Sequence, residues 1–143
     1  GKQTEPSMLL LSNSKAITVL GDIKEHLWGI ISIEYTIKAE VKEAEMMVNS
    51  FSLLISIYSQ YNLLLKRKEV QANQDLCKSL VNCLREKDDN IKLLIDFVGN
   101  STGLTRKNAA VLLAKMAETT EEMKSKIREF HGMDVLMSVF GKM

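Results

Sequence analysis

What this chain of 143 residues has little of does most to bound it. It holds one proline, Pro6, and seven glycines, so few positions force a break, and long helices are favoured over a turn-rich β fold. Its two cysteines, Cys77 and Cys83, stand six residues apart, where their directions on one helix differ too much for a bridge. They make neither a disulfide framework nor a zinc spacing, and read as two small apolar thiols in a reducing compartment. The two histidines, His26 and His131, share no ligand spacing with them. The glycines are isolated, so there is no phosphate-cradling loop and no dinucleotide turn. No apolar run approaches the roughly 20 residues that span a bilayer, and the short run at 8–11 follows a polar start unlike a signal peptide. An excess of one charge is missing too: 19 basic against 18 acidic residues leave +1, too little to steer a polyanion. Together these absences argue against an enzyme, a cofactor, a metal site and a membrane span. One formal glycosylation triplet, Asn100-Ser101-Thr102, falls in a predicted loop and reads as loop.

What is present is 45% hydrophobic and 26% charged, enough for one soluble core. Residues 1–14 carry Gly, Pro, Ser and Asn without a period and are expected to form a poorly ordered entry, followed by a single domain over 15–143. Ile17, Leu20, Ile23, Leu27, Ile30 and Ile31 recur at helical spacing and predict helices over 15–21 and 22–37. Residues 40–59 are the most apolar stretch, with Met46, Met47, Phe51, Leu53, Leu54, Ile55, Ile57 and Tyr58 on more than one face, which predicts a helix buried on several sides. Shorter helices are expected at 62–70, 74–85 and 89–98, then a loop at 99–103. The acidic pairs Asp88-Asp89 and Glu121-Glu122 fall at predicted helix starts, where the helix dipole explains them. The methionines read as core filler.

The last forty residues carry the clearest order. A long helix at 104–117 contains Ala109, Ala110, Leu113, Met116 and Ala117. An amphipathic helix at 121–130 contains Met123, Ile127 and Phe130. After Gly132 comes a brief apolar helix with Met133, Leu136, Val139 and Phe140. In this order, over about a quarter of the chain, the sequence resembles the armadillo repeat family, a pattern that related HEAT-type arrays share in part. Physically, Ala109 and Ala110 let a neighbouring helix approach closely and Gly132 permits a sharp reversal. A weaker echo runs through 50–58, 62–70 and 74–84, with Asn73 in the left-handed place that Gly132 takes later.

The resemblance implies an all-α fold, a right-handed superhelical stack of helices, and a non-catalytic scaffold that binds a peptide or helical partner. It also implies a fragment of a longer protein, since the chain stops after the second helix of a unit and leaves the face at 133–140 uncovered, with self-association as a consequence. Carried over by position, the groove residues are Lys107, Asn108, Val111 and Lys115. Val111 stands where nuclear-import adaptors use Trp and Lys115 where they use Asn, which argues against recognition of basic localisation signals. Two lysines suit an acidic or phosphorylated segment, and the same lysines also read as ordinary solvated surface. The alternative is a nucleic-acid surface built on Lys66, Arg67 and Lys68 with Arg106 and Lys107, but no aromatic residues interleave with the cluster as stacking platforms. An intracellular location, cytoplasmic or nuclear, is expected.

Overall fold

The structure, a computed structural model, describes residues 14–37 and 41–142. Among these residues every regular element is a helix: α1 (Ser14–Ile37), α2 (Val41–Leu65), α3 (Lys68–Gln71), α4 (Gln74–Leu84), α5 (Asp88–Asn100), α6 (Gly103–Ala117), α7 (Glu121–Glu129) and α8 (Gly132–Lys142). The all-helical expectation holds, and so does the order of the last three helices. The expected entry at 1–14 lies outside the described residues except for Ser14.

Several boundaries differ, each for a tertiary reason. The two helices expected over 15–37 are one, because Gly21 tolerates its mid-helix place by packing on α4. A Cβ added there would lie 3.2 Å from the Cys83 Sγ. The separate helix expected at 62–70 does not form. Tyr58, Tyr61 and Leu64 extend the buried stripe of α2, and this burial carries the helix past Ser59 to Leu65; only the single turn of α3 follows. Asn73 is not left-handed: at φ −106° it caps α4, its side chain accepting from the Leu76 N–H at 3.1 Å. The loop expected at 99–103 shrinks to Ser101 and Thr102, with Gly103 at φ +60° opening α6.

The reversal between α7 and α8 also divides its labour differently. His131, at φ +65°, takes the left-handed turn, not Gly132. Gly132 is required for closeness instead: a Cβ there would sit 2.6 Å from Ile127 Cγ2 and 3.1 Å from the Ile127 carbonyl oxygen. Helix starts follow the expected electrostatics. Thr120 accepts from the Met123 N–H at 3.1 Å, Glu121 and Glu122 occupy the first turn of α7, and Lys126 and Arg128 its last.

The most extensive helix contact joins the long helices α2 and α6. Around this pair the contacts recur in order: α1 packs on α2 as α5 packs on α6, and α4 follows α2 as α7 follows α6, while α5 lies against α8. Ala109 and Ala110 are fully buried in α6, where their small size keeps the neighbouring helices near. The rest of the core is aliphatic and aromatic, with Phe51, Leu54, Leu80, Ile91, Leu94, Leu113 and Ile127 shut off from solvent. Burying each such side chain stabilises the fold by about 1.5–3 kcal/mol. The expectation that α2 is buried on several sides is only partly met: Met46, Leu53 and Leu63 on one face are each about half exposed or more.

Candidate functional site

The residues expected to line a groove lie on α6, whose most extensive contact among the described residues is with α2. Lys107 is exposed, and Asn108, Val111 and Lys115 are half-buried, with Lys107, Val111 and Lys115 on one stripe of the helix. Neither lysine has an ion-pair partner among the described residues. Asn108 is different. Its amide donates to the Val48 carbonyl of α2 at 3.1 Å, and this bond ties the two helices together. A reciprocal tie runs the other way, the Asn62 amide of α2 donating to the Lys115 carbonyl at 3.2 Å. That carbonyl lies in the last turn of α6 and also accepts from the Glu118 N–H at 3.2 Å. The two asparagines bracket the joint and fix where Val111 and Lys115 stand relative to α2.

The basic cluster sits where α2 gives way to α3. Lys66 and Lys68 are exposed, while Arg67 grips Glu69 with Nε at 2.9 Å and Nη2 at 2.6 Å. A hydrogen bond from its own backbone, and then Arg67, hold the Glu69 carboxyl below its ordinary value. The cluster therefore presents two unencumbered cations and one occupied guanidinium. Arg106 is likewise turned inward, half-buried, with Nη2 donating to the Gly99 carbonyl at 3.3 Å. The structure does not gather these residues into one basic face.

The most concentrated polar chemistry lies elsewhere, at residues the sequence reading did not single out. The side chain of Glu86, in the link between α4 and α5, is fully buried, and Lys24 of α1 is 2% exposed. The Lys24 ammonium lies 3.1 Å from Glu86 Oε2 and donates to the Arg85 carbonyl at 2.9 Å. The same carboxylate oxygen accepts from Trp28 Nε1 at 2.9 Å and from the Tyr58 hydroxyl. The Asn90 amide reaches Oε1 at 3.5 Å. Burial, reinforced by the Glu86 charge, pushes the Tyr58 hydroxyl well above its usual range. Each partner of the carboxylate is a donor, which is what a buried anion needs. A sequence signal for this network existed: Lys24 interrupts the apolar run Ile17, Leu20, Leu27, Ile31 at a core-facing position. A hollow that adjoins it, beside Leu84, Ile91 and Met123, is about 10 Å³, too small for a substrate.

A larger cleft of about 690 Å³ runs along the outer face of α4, where its lining includes Gln74, Cys77, Lys78, Val81 and Arg85. It brings amides, a thiol and two cations together without a histidine or a carboxylate among these residues, so it holds no acid–base pair. Among the described residues no group of three His, Cys, Asp or Glu side chains could hold a metal ion. No described helix is long and apolar enough to cross a membrane. His26 and His131 are both exposed and lie on different helices or turns, His131 facing Asp134 at 3.6 Å. Comparison of the chain with protein-family models, with curated proteins and with solved structures gave no match.

Proposed function

We propose that this chain is a non-catalytic protein-interaction module of armadillo-like type, which binds an acidic or phosphorylated segment across the face that α6 and α2 share. The observation that carries the reading is the side-by-side packing of α2 and α6, the most extensive helix contact among the described residues, with Lys107 exposed and Val111 and Lys115 half-buried on one stripe of α6. The recurrence of contacts around that pair supports an array of repeating helical units, in which long neighbouring helices make a continuous surface. Two cations flanking a valine give that surface a charge-assisted contact at each end and an apolar one between them. The free thiols of Cys77 and Cys83 accord with a reducing compartment, cytoplasmic or nuclear.

An array of acidic and phosphorylated peptides, probed with the purified protein and with the Lys107→Glu and Lys115→Glu variants, tests the reading. Peptides of this class are expected to be retained, and each reversal is expected to weaken binding by about tenfold or more while helicity stays intact, since a hydrogen bond to a charged group contributes roughly 1.5–3 kcal/mol. Failure to retain any such peptide, or retention that both variants preserve, would remove the reading.

A further inference from the structure

Three helices meet around another hollow, of about 240 Å³, whose lining includes Gly99 near the end of α5, Arg106 in the early turns of α6, and Asp134, Val135, Ser138 and Val139 of α8. Residues 134 and 138, like 135 and 139, are four apart, so α8 offers two adjacent rows, one polar and one apolar. Val139 is buried and Val135 half-buried, while Gly99, Asp134 and Ser138 are exposed, which gives the hollow an apolar side and a side open to solvent. The end of α5 comes close to α8 here: a Cβ added at Gly99 would lie 3.7 Å from Val135 Cγ1.

The two charges of this hollow are opposite, yet they do not satisfy each other. A guanidinium has five N–H donors. Arg106, half-buried, spends one of them on the Gly99 carbonyl at 3.3 Å, which caps the last turn of α5, and its Nε is buried with no hydrogen-bond partner among the described residues. Asp134 lines the same hollow but forms no ion pair with Arg106, so their charged atoms stand more than 4.0 Å apart. The Asp134 carboxylate has His131 Nδ1 at 3.6 Å instead, on its exposed side.

We infer that this hollow binds a free α-amino acid, with its carboxylate on Arg106, its ammonium on Asp134 and a small aliphatic side chain against Val135 and Val139. The opposite signs select a zwitterion: a simple anion such as phosphate would meet the Asp134 carboxylate as a like charge, and a simple cation would meet Arg106. Ser138, one turn on from Asp134, adds a hydroxyl that can accept from the ammonium. The volume selects the size. At roughly 30 Å³ per water, the hollow has the room of about eight waters, below the roughly 300 Å³ at which pockets for drug-sized ligands begin. Half-buried Arg106, whose bond to a carboxylate is charge-assisted, supplies most of the affinity, and exposed Asp134 contributes less. A small ligand held by these contacts binds with a Kd of about 1 mM. None of Lys107, Val111 and Lys115 takes part, so the site stands apart from the peptide-binding reading.

Titration of the protein with L-valine, followed through backbone amide shifts by NMR, tests it. Saturable shifts are expected at Gly99, Arg106, Val135 and Ser138, with none at Gln74 or Lys78 in the cleft of α4. L-Valinamide, which lacks the carboxylate, is expected to bind about tenfold more weakly, and N-acetyl-L-valine, which lacks the ammonium, a few-fold more weakly. Arg106→Gln is expected to weaken valine binding by about tenfold or more. Asp134→Asn, at an exposed position, is expected to keep full helicity by circular dichroism, to weaken binding a few-fold and to erase the preference for valine over its N-acetyl form. Should Arg106→Gln lose helicity, Asp134→Asn and the two blocked ligands decide. A titration that moves none of these amides up to the solubility of valine overturns the inference. So does equal binding of the blocked ligands, binding that Asp134→Asn leaves unchanged, or inorganic phosphate that binds as tightly as valine and makes Arg106 a plain anion site.

Discussion

The molecule holds its helices together at two joints of opposite chemistry. The joint between α2 and α6 is largely dry: Ala109, Ala110, Leu112, Leu113 and Met116 are wholly buried in α6, with Asn62 and Asn108 as ties to backbone carbonyls. The joint that seats α1 on α2 and on the end of α4 is built around a buried carboxylate with four donors from three helices. The dry joint depends on shape and has many small contributors, so a change at one residue is shared among neighbours. The ionic joint depends on one residue, because every donor converges on Glu86. The two joints should therefore fail in different ways.

The largest effect is expected from Glu86→Ala. It leaves the Lys24 ammonium buried without its partner and removes the acceptor for Trp28 and Tyr58. Breaking a buried pair in this way costs about 3–5 kcal/mol, a large share of the stability of a domain of this size. Chemical denaturation should show the loss as a fall in midpoint. The comparison is sharpened by the double variant Lys24→Met with Glu86→Leu, which removes both charges while keeping volume and should recover most of that loss. A double variant no more stable than Glu86→Ala would show that the hydrogen bonds of Trp28 and Tyr58, and not the charge pair, hold the joint.

How far these joints could be read from the sequence follows the same division. The dry joint was largely legible, because the small residues Ala109 and Ala110 and the helical period of 104–117 are local signals. Lys107, Asn108, Val111 and Lys115 fall on α6, within the helix expected at 104–117, but the role of Asn108 depends on the Val48 carbonyl, 60 residues away in sequence. The ionic joint was not read, because its meaning lies in pairs separated by 62, 58 and 28 residues, and Glu86 by itself resembles an ordinary residue of a polar link. The same limit explains the boundary of α2. Local composition ends the helix near Ser59, and only burial of Tyr61 and Leu64 by partners distant in sequence carries it onward. His131 escaped for a different reason: glycine is the common left-handed residue, so Gly132 drew the assignment, while its own constraint was the nearness of Ile127.

A middle-sized effect is expected from overfilling the dry joint. Ala109→Leu inserts a large side chain where the present one has no exposed surface, and cores resist such insertion by about 1–3 kcal/mol. The denaturation midpoint should fall, with the α1 joint untouched. An unchanged midpoint would mean that α2 and α6 can part cheaply, and that the Asn62 and Asn108 ties contribute more than the packing.

The smallest expected effect distinguishes the joints by pH. Tyr58, with its hydroxyl on Glu86, belongs to the ionic joint, and its folded pKa is raised well above 10.0, first by burial and then by the Glu86 charge. Below about pH 9 the phenol is neutral in both states and contributes nothing to the pH dependence. Above that, the unfolded chain ionises Tyr58 while the folded chain keeps it protonated, so the unfolded state binds fewer protons and stability falls as pH rises. The slope is about 1.4 kcal/mol per pH unit for one tyrosine. Tyr61, buried beside Cys83, is raised in the same direction, first by its burial, and adds to the fall. Tyr58→Phe should therefore reduce the alkaline slope without abolishing it, when stability is measured between about pH 9 and pH 11. Ala109→Leu should lower stability by the same amount across that range, because the dry joint carries no titrating group. Parallel curves for wild type and Tyr58→Phe would show that the Tyr58 phenol ionises as easily in the folded chain as in the unfolded one, and that the carboxylate is less enclosed than its four donors make it.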